Sequence, residues 1–217
     1  MSISAKIDEI RSSLQKGVRL VAVSKTFPAE AITEAYNAGQ RLFGESRPQE
    51  LKAKWEALPR DIEWHMIGHL QTNKVRMVLP IVSLIESLNS RRLAEAIERE
   101  AARIDKVVDC LLEIQLSTEE SKTGWEWSDL EQFIADGGFD SMPHIRLRGV
   151  MGIATYSNSE EVVESDFRCL RGYFDLLAPR FGSSFDCVSM GMSSDYRLAM
   201  KCGSTSVRVG SYIFGGR

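Results

Sequence analysis

The sequence has few of the features that would place it quickly. Four cysteines stand alone in 217 residues. None of Cys110, Cys169, Cys187 and Cys202 forms a CxxC pair or a metal-type spacing, so reduced thiols in the cytoplasm are expected. No apolar run approaches a membrane span. Met1 to Glu9 lack an apolar segment, so no secretory leader is expected. Neither sign of charge dominates: 27 Lys and Arg against 30 Asp and Glu leave a net charge of -3. That argues against nucleic acid as a partner. No GxGxxG follows the first strand-like run, which removes the dinucleotide signature. Low-complexity stretches and linkers are also missing, so residues 1–217 are expected to form one domain.

What is present is a regular alternation. Ile3, Ile7, Ile10 and Leu14 recur at helical spacing over 3–16. Short apolar runs at 19–25, 41–45, 63–68, 81–86, 107–116, 145–153, 185–190 and 205–209 read as eight strands. Helical stretches lie between them at about 28–38, 47–58, 71–79, 90–104, 127–136, 159–178 and 193–201. Repeated β-α units imply a parallel sheet covered by helices. Seven helices follow the first seven strands, and the N-terminal helix supplies the eighth. The expected fold is a single (β/α)8 TIM-type barrel, with the N-terminal helix completing the outer ring. An open doubly wound sheet would usually have fewer strands.

Chemistry in such barrels gathers at the C-terminal ends of the strands. Those ends carry Lys25, Ser46 with Arg47, His65 to His69, Glu86, Ser121 with Lys122, Met151, Met190 to Ser194, and Arg208 to Ser211. Lys25 closes the buried run Leu20-Val21-Ala22-Val23-Ser24 just before a strand-to-helix loop. A lysine partly removed from water there is a nucleophile toward a carbonyl. Taken alone, it reads first as a strand-end lysine carrying its charge out to water. Gly191 to Asp195 form a turn into a helix, with Ser193 and Ser194 able to cap it or to meet an anion. Arg208 to Ser211 end strand eight, where Gly210 permits close backbone approach. Loops seven and eight are the usual phosphate position in barrels.

If Val207 and Val209 face the helices, Arg208 points into the barrel. An inward arginine needs a partner, either a glutamate or a ligand acceptor. An amine, a phosphate cradle and an inward arginine at one mouth suit pyridoxal phosphate. His65 and His69 do not suit a shared metal, because four strand residues span about 13 Å. Trp64, Trp125 and Trp127 are expected to pack or to cover loops, and Glu119 to Lys122 to form a solvated loop.

Several runs resemble the pyridoxal phosphate homeostasis proteins, which are similar to the barrel domain of alanine racemase. They are Ala22-Val23-Ser24-Lys25-Thr26, Phe43-Gly44-Glu45, the stretch from Trp64 to Lys74, Glu86-Ser87-Leu88, and Ser121-Lys122-Thr123-Gly124. Leu147-Arg148-Gly149-Val150-Met151, the stretch from Ser189 to Asp195 and the stretch from Gly203 to Ser211 complete the set. The likeness runs in order from about residue 19 to the C-terminus. It implies that Lys25 holds the cofactor as a Schiff base. It further implies phosphate contacts from Ser193, Ser194, Gly210 and Ser211, and Arg208 near the pyridine nitrogen. Ser46, His65 and Met190 join this set as candidate cofactor contacts. Ser46 departs from the family, which commonly has asparagine there; a serine is shorter and reaches less far toward the ring hydroxyl.

The resemblance implies a non-catalytic carrier that binds and buffers the cofactor in vitamin B6 and amino-acid balance, with apoenzymes as recipients. A monomer is expected. A racemase of low activity is the alternative. Racemisation needs a second acid/base opposite Lys25, and nothing in the sequence places Tyr156, Tyr196 or Tyr212 there. A barrel binding another phosphorylated metabolite, with Lys25 as a phosphate contact, is a third reading.

Overall fold

The computed structural model describes residues 1–116 and 123–215. Eight parallel strands close into a barrel in sequence order. They are β1 (Arg19–Val23), β2 (Leu42–Glu45), β3 (Glu63–Met66), β4 (Leu84–Leu88), β5 (Val108–Glu113), β6 (Ile145–Met151), β7 (Cys187–Ser189) and β8 (Ser206–Val209). Closure comes from β1 pairing with β8, Arg19 opposite Ser206 through Ala22 opposite Val209. The helices are α1 (Ile3–Ser13), α2 (Ala29–Asn37), α3 (Pro48–Ala57), α4 (Val75–Val78), α5 (Arg91–Arg103), α6 (Trp127–Ala135), α7 (Glu160–Phe181), α8 (Tyr196–Lys201) and α9 (Ser211–Phe214). The Glu119 to Lys122 loop lies outside the described residues.

The alternation of side chains along each strand sorts the core into two parts. Ala22, Phe43, Trp64, Met66, Ile85, Val188, Val207 and Val209 face outward and join the helices in the main core. Leu84, Leu111, Met151 and Cys187 form a small separate cluster inside the barrel. Val207 and Val209 thus lie on the helix side, which sends Arg208 inward. Trp64 is fully buried, Trp125 donates to the Leu88 carbonyl at 3.0 Å, and Trp127 stacks on Tyr173.

Several boundaries differ from the sequence reading. Helix α1 stops at Ser13 rather than Lys16, because Leu14 is already extended. Strand β4 begins at Leu84, not Ile81, so Glu86 sits in mid-strand rather than at its end. Ile81 and Val82 instead bond back to the Val78 carbonyl and close the preceding turn. Residues 193–195 form a turn, and α8 begins only at Tyr196. Helix α7 runs past Pro179 to Phe181. The short α9 after β8 was not expected from the sequence.

Candidate functional site at the barrel mouth

Lys25 follows the inward residues Val21 and Val23 of β1. Its side chain is exposed, not partly withdrawn from water as its strand-end position suggests. Lys25, Val23, Phe27, Gly210, Ser211 and Gly215 line a cavity of about 90 Å³. The structure therefore brings the amine and the turn after β8 together, although 185 positions separate Lys25 from Gly210 in the sequence. Ser193 reaches the same turn: its hydroxyl accepts from the N–H groups of Gly210 (3.3 Å) and Tyr212 (3.4 Å). Ser194 is exposed on the adjoining turn.

The backbone at Gly210 is closely approached by a neighbouring strand. A Cβ there would lie 2.9 Å from the Val23 carbonyl oxygen. The close approach is to β1 itself, which seats the β8 turn against the strand that delivers Lys25.

Below the mouth lies a buried polar chain. Arg208 donates to the Ser189 hydroxyl at 2.6 Å and to the Gly152 carbonyl at 2.9 Å. Ser189 donates to Glu86 Oε2 at 2.6 Å, and Glu86 Oε2 lies 3.7 Å from the guanidinium. His65 Nδ1 meets the other oxygen, Glu86 Oε1, at 2.6 Å. Glu86 is fully buried and Arg208 is 5% exposed. Burial alone would push the Glu86 carboxyl up, but His65, Arg208 and Ser189 outweigh it and hold it below the usual carboxylate range. The partner of the inward arginine is thus a glutamate, and the guanidinium is held in one orientation.

The remaining expected residues are placed less centrally. Ser46 is half-buried beyond the end of β2, close against Gly68. His65 lies within the barrel, bound to Glu86. His69 is exposed and accepts from Asn89 at 3.3 Å, so the two histidines serve different contacts. Met190 does not join the site through its side chain. It alternates with Ser189, so it points outward and is fully buried in the core against the helices.

Three site features escaped sequence reasoning. Ser189 links Arg208 to Glu86; its signal was its place on the inner face beside Cys187. Glu113 ends β5 on the inner face, where Oε1 accepts from Thr123 at 2.7 Å. Its other oxygen is buried without a partner among the described residues, and burial pushes the carboxyl up. The third is a group at β1, β2 and α3. Lys54 donates to Glu45 (2.7 Å) and to the Ser24 carbonyl (2.8 Å), and Ser24 donates to Glu45 (2.6 Å). Lys54 carries no local sequence signal, since it reads as an exposed helix position.

The closed barrel and its polar mouth define the class. The profile described as Alanine racemase, N-terminal domain, matches residues 1–217. Alanine racemase from Bartonella henselae with covalently bound pyridoxal phosphate superposes with a TM-score of 0.73. At 16% identity, over 99% of this chain and 58% of that one, the likeness is one of fold. The chain belongs to this alanine racemase N-terminal domain family and, within it, to the pyridoxal phosphate homeostasis proteins. It is 39% identical to the pyridoxal phosphate homeostasis protein of Aquifex aeolicus, over 92% of this chain and 87% of that protein. Identity to the protein of that name from Schizosaccharomyces pombe is 38%, over 100% and 93%. The structure of PipY from Synechococcus elongatus PCC7942 with PLP bound matches with a TM-score of 0.90 at 36% identity, covering 99% of this chain and 100% of that one.

Proposed function

We propose that this chain binds pyridoxal 5'-phosphate and buffers it within the cell, with Lys25 holding the aldehyde as a Schiff base. The observation that carries the reading is the shared cavity of Lys25, Gly210 and Ser211. The residues present fit the cofactor. An exposed primary amine is available to an aldehyde. The hydroxyls of Ser193, Ser194 and Ser211 supply donors for a phosphate, and the N–H groups of Gly210 and Tyr212 orient the Ser193 hydroxyl by donating to it. Arg208 is fixed beneath, where it can face a ring nitrogen, with His65 and Ser46 as neighbouring contacts. When bound, the cofactor supplies an electrophilic carbon and, in enzymes, an electron sink. An arginine facing the ring nitrogen favours its unprotonated form and weakens that sink, which supports a carrier over a racemase.

We further read residues 1–217 as one binding domain, acting as a cytoplasmic monomer that supplies PLP-dependent apoenzymes. The named relatives are homeostasis proteins rather than racemases, which supports a carrier. Among the described residues no helix is long and apolar enough to cross a membrane. The test is the absorbance of the protein mixed with pyridoxal phosphate. A long-wavelength imine band that borohydride bleaches, leaving the reduced adduct on Lys25, is expected. A Lys25→Ala variant should lose the band; covalent retention in that variant refutes the assignment. Amino-acid turnover at about one per second or faster would instead establish an enzyme.

A further inference from the structure

We propose that Glu50 is a positioning residue for the Lys25 amine: its carboxylate locks the turn that carries Lys25, with Lys54 pinning the other end of that turn. This rests on the reading of Lys25 as the aldehyde-binding amine. Phe27 N–H donates to the Ser24 carbonyl at 3.1 Å, closing a four-residue turn with Lys25 and Thr26 at its centre. Thr26 has φ +69°. A turn with positive φ at its third residue is ordinarily built with glycine or asparagine, and a β-branched residue is an outlier there. Such backbone persists only where the surroundings over-determine it.

The surroundings do so at both ends. Thr26 N–H donates to Glu50 Oε2 at 2.8 Å. The Ser24 carbonyl accepts from Lys54 Nζ at 2.8 Å. Glu50 and Lys54 are one helical turn apart on α3, 3.5 Å from each other, as i,i+4 neighbours should be. Lys54 is anchored in turn by the fully buried Glu45 at 2.7 Å, and Arg47 holds the second oxygen of Glu50 at 3.1 Å. Among the described residues the Lys25 side chain has no hydrogen bond or ion pair of its own. The turn therefore sets where the Lys25 side chain departs from the backbone, and α3 holds the turn. Cohesion alone would be served by glycine at residue 26 without the strain.

The test uses the full chain and pyridoxal phosphate. The rate of imine-band growth, the fraction trapped on Lys25 by borohydride, and the melting temperature without cofactor are measured together. Glu50→Leu should slow band growth about tenfold or more. Glu50→Gln, whose amide oxygen still accepts from Thr26, should stay within about threefold of the parent. Thr26→Gly needs no carboxylate to hold positive φ, so added to Glu50→Leu it should restore the rate to within about threefold. A Glu50→Leu protein that melts earlier yet forms the band at the parent rate overturns the proposal. So does failure of the glycine to rescue. A parent chain that forms no band at all refutes the underlying reading of Lys25 instead, and this inference falls with it.

Discussion

At the scale of single residues, the buried chain of His65, Glu86, Ser189 and Arg208 carries the sharpest consequences. Arg208→Leu leaves the Glu86 carboxylate buried without its guanidinium, and a broken buried pair costs about 3–5 kcal/mol. Denaturant unfolding should show a loss of that order. Glu86 also gives the fold an acid dependence. Its folded-state pKa lies below the ordinary glutamate value, so its contribution is present above about pH 4.3. It is lost as pH falls through the lowered folded value. A Glu86→Gln variant should therefore be less stable near neutrality and show a flatter acid limb. Glu113 has the opposite sign. Its folded pKa is raised by burial, so its ionisation opposes folding at neutral and higher pH. Glu113→Gln should melt higher than the parent at pH 8, and the gap should close as pH falls toward the unfolded value of about 4.3.

At the scale of elements, the β5–β6 pairing depends on one glycine. The register shifts between Cys110 and Leu111, so that Leu111 pairs with Gly149. Gly149 has φ +148°, and a Cβ there would fall 1.8 Å from the Cys187 carbonyl oxygen. No side chain can yield, because the obstacle is β7 backbone. Gly149→Ala should cost about 3 kcal/mol or more, seen as a lowered melting temperature or failure to fold. The sequence made this strand visible through its apolar alternation, yet not its irregularity, which arises from contact with two neighbours. The same limit applies to β4. The apolar run 81–86 predicts a strand, but the ladder with β3 aligns His65 with Leu84, and that register carries Glu86 to the middle of the barrel. Pairing with a distant strand, not local composition, sets the boundary.

At the scale of the whole molecule, closure of the barrel turns eight separate strand ends into one mouth. Sedimentation should give the mass of a single chain, and loading with pyridoxal phosphate should raise the melting temperature as a ligand that binds only the folded state does. That gain should vanish in large part with Lys25→Ala. The order of strands and helices, the placing of Arg208 on the strand face opposite Val207 and Val209, and the position of Lys25 before a loop were determined by the sequence itself. Apolar periodicity and chain alternation are local properties, and they survive without knowledge of the fold. Tertiary structure alone decided which groups meet. It paired Arg208 with Glu86 through Ser189, turned Met190 away from the mouth, and set Gly210 against Val23. It also bound the turn around Lys25 to α3. These contacts join residues between 19 and 122 positions apart, or 187 for Gly210 and Val23, and their choice follows from strand register and barrel closure, which no short window of sequence contains.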